Sequence, residues 1–292
     1  MSELCLRANA KINLFLEVLD KRHDGYHNIE TIFQSIDLHD VIKIRENEYG
    51  IIEFECDHPQ IPQGSDNLVW RAAELLLRKS GKRFGAYIHL TKNIPVGAGL
   101  AGGSADAAAA LLGLNDLWGL GYNAEELMQI GGELGADVPF CIVGGTCLGM
   151  GKGDLITPLA PIDVLPIVIA KPDFQVSTAW AYKSLDDWGL TREKKSANIF
   201  IDRTGLIDIS NIGDKLYNVF ENNVMGRYPE IAELKRLFLR SGALGTLMTG
   251  SGPTVFAIAR DDSHARYLWE KVNPIADYCS ITQTSGVSVS KL

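Results

Sequence analysis

The sequence predicts an α+β fold built as two halves, and three features point to it. Its 292 residues are enough for one large domain or two of moderate size with a core in each. Stretches of period-two and of helical apolar spacing are grouped rather than strictly alternating, which disfavours a single doubly wound sheet. Pro158 and Pro161 punctuate Asp154–Val164, so the expected division is an N-terminal domain of residues 1–157 and a C-terminal domain of residues 158–292.

In chain order, Leu4–Val18 and Val41–Glu46 read as strands, and IIEFEC (Ile51–Cys56) alternates at period two. SDNLVWRAAELLLRKSG carries apolar residues at helical spacing, with Ser65 or Asp66 as the N-cap and Gly81 as the stop. Ala86–Lys92 is a further strand, which feeds a glycine-rich loop and then a helix from Ser104 to Trp118. AEELMQIGGELG reads as a helix, GADVPF as a turn, and glycine-rich Val143–Asp154 closes this half. Leu165–Ala170 opens the second half, and Ile199–Ile209 reads as irregular connection. Pro229–Ser241 is an amphipathic helix, TLMTGSGPTVFAIA a strand, glycine turn and strand, ARYLWEKV a helix, and Ser285–Val289 the last strand.

Charge and composition narrow the function. The net charge of -8 argues against nucleic acid or an anionic membrane as the main partner. No run of about eighteen apolar residues is present to span a bilayer. Asn13 interrupts the apolar run near the N-terminus, which reads as a strand rather than a signal peptide. The five cysteines are scattered without CxxC pairs, as expected of reduced thiols in a cytoplasmic protein, and the six histidines show no paired zinc spacing.

The segment PVGAGLAGGSAD, from Pro95, joins a strand to a helix. Glycines there let backbone N–H groups converge, and the helix adds its unpaired first-turn amides, which together make an anion site. Gly97, Gly99, Gly102 and Gly103 are four glycines in seven positions, more than a β–α turn needs. Each costs about 1 kcal/mol relative to alanine where regular structure could form. Ser104 either caps the helix or puts its hydroxyl on a phosphate or on Mg²⁺, and Asp106 either offsets the dipole or approaches a metal. The glycines formally fit GxGxxG, but no acidic residue closes a strand about twenty positions on, as a dinucleotide site requires. The Walker A spacing and the HRD and DFG elements of protein kinases are missing as well.

PVGAGLAGGSAD resembles the second motif of the GHMP kinases, a family that includes galactokinase, homoserine kinase and mevalonate kinase. AKINLFL (Ala10–Leu16) is similar to the first motif and TGSGPTVFA (Thr249–Ala257) to the third, in the right order across nearly the whole chain. The resemblance implies two α+β domains with the active site in the cleft between them, and ATP with Mg²⁺ as the phosphoryl donor. It places the ATP phosphates on Pro95, Val96, Gly97, Ala98, Gly99, Leu100, Ala101, Gly102, Gly103, Ser104 and Ala105, and adenine near Asn67 and Lys92. The metal ligands stay unassigned.

KRHDGYHNIETIFQ, from Lys21, is similar to the branch of the family that acts on a cytidine diphosphate-linked methylerythritol in the non-mevalonate isoprenoid route. In that reading Asp137 of GADVPF is the base for the 2-hydroxyl. Lys11 keeps Asp137 ionised and stabilises transferred charge. Asn13 shares the strand face of Lys11 and orients the alcohol. Tyr26 and His27 offer cytosine a ring and a hydrogen-bonding edge. A second ring comes from Tyr182, with Trp180 as its competitor and Thr178 as a nearby polar contact. Gly250, Ser251 and Gly252 either touch the ligand through backbone amides or form a plain hairpin turn. A mevalonate- or homoserine-type substrate is the runner-up, and a non-catalytic nucleotide sensor a remote third.

Overall fold

The computed structural model describes residues 3–188, 194–201, 209 and 211–292. Its first sheet is built on two long antiparallel strands, β1 (Glu3–Lys21) and β2 (His27–Asn47). β3 (Ile52–Cys56) and α1 (Leu68–Ser80) follow, then β4 (Gly85–Thr91), α2 (Gly102–Leu117), α3 (Ala124–Gly132) and α4 (Val138–Val143). β5 (Thr146–Met150) and β6 (Leu155–Pro158) complete this part of the chain.

The second sheet begins with β7 (Pro166–Lys171), followed by α5 (Thr178–Trp188), a 3-10 turn at Ala197–Phe200, α6 (Ile212–Lys215) and the short β8 (Tyr217–Asn218). Then come α7 (Glu221–Arg227), α8 (Pro229–Arg240), β9 (Gly245–Met248), β10 (Val255–Ile258), α9 (Asp262–Val272), β11 (Tyr278–Gln283) and β12 (Val289–Lys291). The sheet orders are β12-β1-β2-β4-β3, with β5, β6 and β8 attached, and β11-β7-β10-β9. β12 pairs with β1, so the end of the chain returns to the first sheet. Among the described residues no helix is long and apolar enough to cross a membrane.

Several expected boundaries move, each for a local reason. The second strand runs the whole of His27–Asn47, because Gln34 and Ser35 are buried polar residues whose bonds lie inside the protein and hide the apolar alternation. The N-cap of α1 is Asn67, whose side chain accepts from the Val69 amide, in place of Ser65 or Asp66. GADVPF is a turn only as far as Asp137, after which Pro139 sits in the first turn of α4. The last strand is Val289–Lys291 rather than Ser285–Val289, since Gly286 and Ser288 bend the chain before it reaches β1. Of the expected connection Ile199–Ile209, residues 202–208 lie outside the described residues.

Helices α1 to α4 cover one face of the first sheet, and α8 and α9 pack on the second. A third cluster lies between the sheets: Ala10, Ile12 and Leu14 of β1 meet Ile167 and Ile169 of β7 and Phe256 and Ile258 of β10. Side chains alternate along a strand, so burying Ala10, Ile12 and Leu14 on that face sends Lys11 and Asn13 to the other. The alanine run of α2 brings that helix close to the sheet. At Gly113 an added Cβ would lie 2.7 Å from both Ile44 Cδ1 and Leu6 Cδ1. Gly113→Leu is therefore expected to overpack this contact and cost about 1–3 kcal/mol, read as a lower urea midpoint at unchanged slope.

Candidate active site

The two sheets and their loops enclose a cavity of about 1210 Å³. Lys11 and Asn13 reach its wall from β1, between two register shifts at Asn9/Lys11 and Asn13/Phe15. Such bulges re-aim side chains, here of the two residues that meet both glycine segments. Lys11 Nζ donates to Asn13 Oδ1 at 2.7 Å and to the Gly99 carbonyl at 3.1 Å. Asn13 Oδ1 also accepts from the Gly250 amide at 3.0 Å and from Thr249 Oγ1 at 3.1 Å, while its Nδ2 donates to Thr31. The Asn13 carboxamide is thus engaged in holding the site together. Burial lowers the Lys11 pKa, and the Asp137 carboxylate opposes that shift.

Asp137 stands at the start of α4, makes no capping bond with its side chain, is half-buried and lines the cavity. Burial, reinforced by Asp137, pushes the Cys141 thiol well up, so this neighbour of Lys11 stays a neutral packing group.

The loop before α2 takes the left-handed region at Gly97, Gly99 and Ala101, which makes alternate amides converge. Ala101 holds that conformation with a Cβ, at a cost of about 1–2 kcal/mol. At Gly99 a Cβ would lie 2.7 Å from the Thr249 carbonyl oxygen and 3.0 Å from that of Gly252, so the two glycine segments pack backbone to backbone. The helix starts at Gly102 with Ala101 as its cap, two residues earlier than expected, and Ser104 does not cap it. Ala105 donates the first helical bond, to Ala101, which leaves the amides of Gly102, Gly103 and Ser104 ahead of the ladder.

Beneath this helix start lies a buried charge cluster that the sequence did not announce. Lys92 Nζ donates to Asp106 Oδ2 at 2.7 Å and to Asp40 Oδ2. Asp40 Oδ1 also accepts from the amides of Asn93 and Ile94. Asp106 Oδ1 is buried with no hydrogen-bond partner. Burial raises the Asp106 carboxyl well above its ordinary value, against the pull of Lys92. Burial lowers the Lys92 ammonium, but Asp106 and Asp40 outweigh it and the net shift is upward. Lys92, expected beside adenine, is thus bound to two carboxylates, and Asp106 meets that lysine rather than offsetting the helix dipole.

The same cavity is lined by rings. Tyr26 is 61% exposed, with Lys152 Nζ 5.1 Å from its centroid. His27 is buried, stacks on Tyr182 at 4.9 Å, and bonds through Nε2 to Asp186 Oδ1 at 2.7 Å. Tyr182 also packs edge-on to Phe220, and burial, with Asp137, pushes its hydroxyl up. Tyr182 lines the cavity, whereas Trp180 packs edge-on to Tyr228 with Arg227 over its ring. Thr178 and Ser251 hydroxyls pair at 3.0 Å.

The cavity wall therefore gathers Lys11, Asn13, Tyr26, His27, Asn67, Lys92, the stretch from Pro95 to Ser104, Asp137, Thr178, Tyr182, Gly250 and Ser251. Ala105 and Gly252 lie behind it: the first is a buried helix residue with its amide in use, and the second is buried against Met248. Sequence reasoning missed Lys21 and Asp186. The i, i+4 spacing of Tyr182 and Asp186 on α5 was the signal that could have found the carboxylate. Among the described residues no group of three or more His, Cys, Asp or Glu could hold a metal ion.

Residues 67–145 match the family profile described as GHMP kinases N terminal domain, and residues 202–275 that described as GHMP kinases C terminal. The chain belongs to the GHMP kinases. A relative from Pelotomaculum thermopropionicum, named 4-diphosphocytidyl-2-C-methyl-D-erythritol kinase, is 44% identical over 95% of this chain and 96% of its own length. A crystal structure of 4-(cytidine 5'-diphospho)-2C-methyl-D-erythritol kinase superposes with a TM-score of 0.80 at 30% identity, covering 98% of this chain and 100% of that one. A homoserine kinase from Cytophaga hutchinsonii shares the fold, with a TM-score of 0.77 at 20% identity over 100% of this chain and 98% of its own.

Two outcomes follow for this GHMP kinase. Gly99→Ala puts a side chain at φ +77° against two carbonyl oxygens and is expected to weaken ATP binding by about tenfold or more in a calorimetric titration. For Asp106, a folded pKa above the unfolded one gives stability that is complete below the unfolded value of about 3.9 and is lost as pH rises through the folded value. Asp106→Asn, which imitates the protonated carboxyl, is accordingly expected to raise the thermal midpoint at pH 8 and to change it much less at pH 4.

Proposed function

We propose that this GHMP kinase transfers the γ-phosphoryl group of ATP to the 2-hydroxyl of 4-(cytidine 5'-diphospho)-2-C-methyl-D-erythritol, a step of non-mevalonate isoprenoid synthesis. The full-length likeness to kinases named for that compound supports the substrate. The observation that carries the reading is that one cavity gathers the glycine loop, Lys11, Asp137 and the aromatic rings, with Lys11 bonded to Gly99 and the Asp137 charge felt by both Lys11 and Tyr182.

ATP lies with its phosphates on the amides from Val96 to Ser104 and its adenine toward Asn67 and Leu68. Asp137 accepts the proton of the substrate hydroxyl as the oxygen forms its bond to the γ-phosphorus, and the bond from that phosphorus to the β-γ bridging oxygen breaks to release ADP. Lys11 sits within reach of the transferred charge. It also holds Gly99 and Asn13, so its role is positional as well as electrostatic. Asn13 acts by fixing Lys11 and the Gly250 turn. Ser104 would offer Mg²⁺ its hydroxyl, and the ion would screen the phosphate charge, which suits a site with no carboxylate cage among the described residues. The cytosine lies among Tyr26, His27 and Tyr182, where stacking on a ring contributes about 1–3 kcal/mol per base.

Residues 1–157 supply the ATP side in this reading, and residues 158–292 supply Tyr182, Thr178 and the Gly250 turn. The substrate is a small molecule, with neither nucleic acid nor membrane as partner. Five free cysteines support a cytoplasmic setting.

Side-by-side assays with ATP and Mg²⁺ are expected to show turnover of the cytidylyl compound and none of mevalonate, homoserine or galactose. Turnover of mevalonate alone would overturn the substrate and leave the fold standing. Asp137→Asn is expected to lower kcat by about 10²–10⁴-fold with ATP affinity retained, and an unchanged kcat would remove Asp137 from the mechanism.

A further inference from the structure

Asp186 follows Tyr182 by one helical turn on α5, and its carboxylate joins two residues of the β1–β2 hairpin. Oδ1 lies 2.7 Å from His27 Nε2, and Oδ2 accepts from Lys21 Nζ at 2.5 Å. The His27 side chain is 5% exposed and its ring is stacked on Tyr182 at 25° between planes, so packing holds the imidazole in one orientation. A carboxylate only accepts, which places a proton on Nε2, and in the neutral imidazole Nδ1 then carries the lone pair. Nδ1 makes no hydrogen bond among the described residues, and His27 lines the cavity. Burial pushes the Asp186 carboxyl up, but the bonds from Lys21 and His27 outweigh it and hold it below its ordinary value.

We infer that Asp186 is a positioning residue that fixes His27 with Nδ1 as an acceptor, and that this choice of tautomer makes the site select cytosine over uracil. The inference rests on the proposed placement of the cytidylyl group among Tyr26, His27 and Tyr182. Cytosine presents an amino donor at its fourth position, where uracil, like thymine, presents a carbonyl acceptor. An unprotonated Nδ1 meets the amino group with a hydrogen bond and meets the carbonyl with two opposed lone pairs. A site built around a hydrogen bond rejects the analogue that cannot make it. Lys21 contributes to the selection as well. Its ammonium claims one oxygen of Asp186, so a carboxamide in that place would turn its oxygen to Lys21 and its NH₂ to His27 Nε2. The imidazole proton would then move to Nδ1, in the manner seen when the aspartate of a serine-protease triad becomes asparagine.

Asp186→Asn tests this directly, since position 186 is partly exposed and the substitution keeps its shape. The wild-type enzyme is expected to prefer the cytidine diphosphate-linked alcohol over its uridine counterpart by about tenfold or more in kcat/KM. In Asp186→Asn that ratio is expected to collapse toward one or invert, through KM for the nucleotide-linked substrate, with KM for ATP unchanged. Nitrogen NMR of the His27 ring is expected to show Nε2 protonated in the wild type and Nδ1 protonated in the variant. A purely structural role would weaken both nucleobase forms equally and leave the tautomer alone, which would overturn the inference. Protonated Nδ1 in the wild type would also overturn it. Wild-type turnover of neither form would bring down the proposed function together with it, whereas an unchanged preference for cytosine in the variant would sink the tautomer argument alone.

Discussion

The Asn13 carboxamide is the junction on which the site depends. One oxygen accepts from Lys11, Thr249 and the Gly250 amide, and the nitrogen donates to Thr31. Each such bond contributes only about 0.5–1.5 kcal/mol net, but leaving a buried donor unmet costs about 1–3 kcal/mol. The geometric consequence is larger than the energetic one. Lys11, so held, reaches the Gly99 carbonyl, and Gly99 can then lie against the carbonyls of Thr249 and Gly252 only because it has no side chain. Two glycine segments about 150 residues apart in sequence become one surface.

In the proposed reading that surface binds a highly charged anion in a protein of net charge -8. The phosphates then rest on oriented amides, with Lys11 bonded to the loop that supplies them. Lys11 is kept in place by neutral oxygens, so its charge is left for the ligand, while Lys92 is neutralised by Asp40 and Asp106. Burial raises the Asp106 carboxyl well above its ordinary value, which lessens the cost of placing two acidic groups on one lysine under the helix start. Local dipoles rather than net charge thus decide what binds.

Much of this was legible in the chain and some was not. The glycine loop, the helix behind it and the shared face of Lys11 and Asn13 follow from residue type and period, which are local properties. The full length of β2 was hidden because Gln34 and Ser35 find their partners in Ser285, Ser288 and Gly145, far off in sequence. The helix cap at Asn67 lost out to Ser65 and Asp66 for a similar reason: all three are good capping residues, and only the path of the chain selects one. The Lys92 cluster joins three segments with no common motif. Tyr182 was separable from Trp180 only by which face of α5 meets the cavity.

In the proposed reading, phosphoryl transfer and substrate choice occupy different elements. Lys11 ties the first sheet to the glycine loop, and a homoserine kinase shares the fold at 20% identity. A framework so tolerant of sequence change cannot itself encode which alcohol is phosphorylated. The choice has to lie in side chains that can vary without disturbing the Asn13 junction. The β1–β2 hairpin and α5 meet that condition: they line the same cavity through Lys21, His27, Tyr182 and Asp186, none of which bonds to Asn13 or Lys11. In the proposed reading, substrate recognition can therefore be remodelled in these two elements while the glycine loop stays intact.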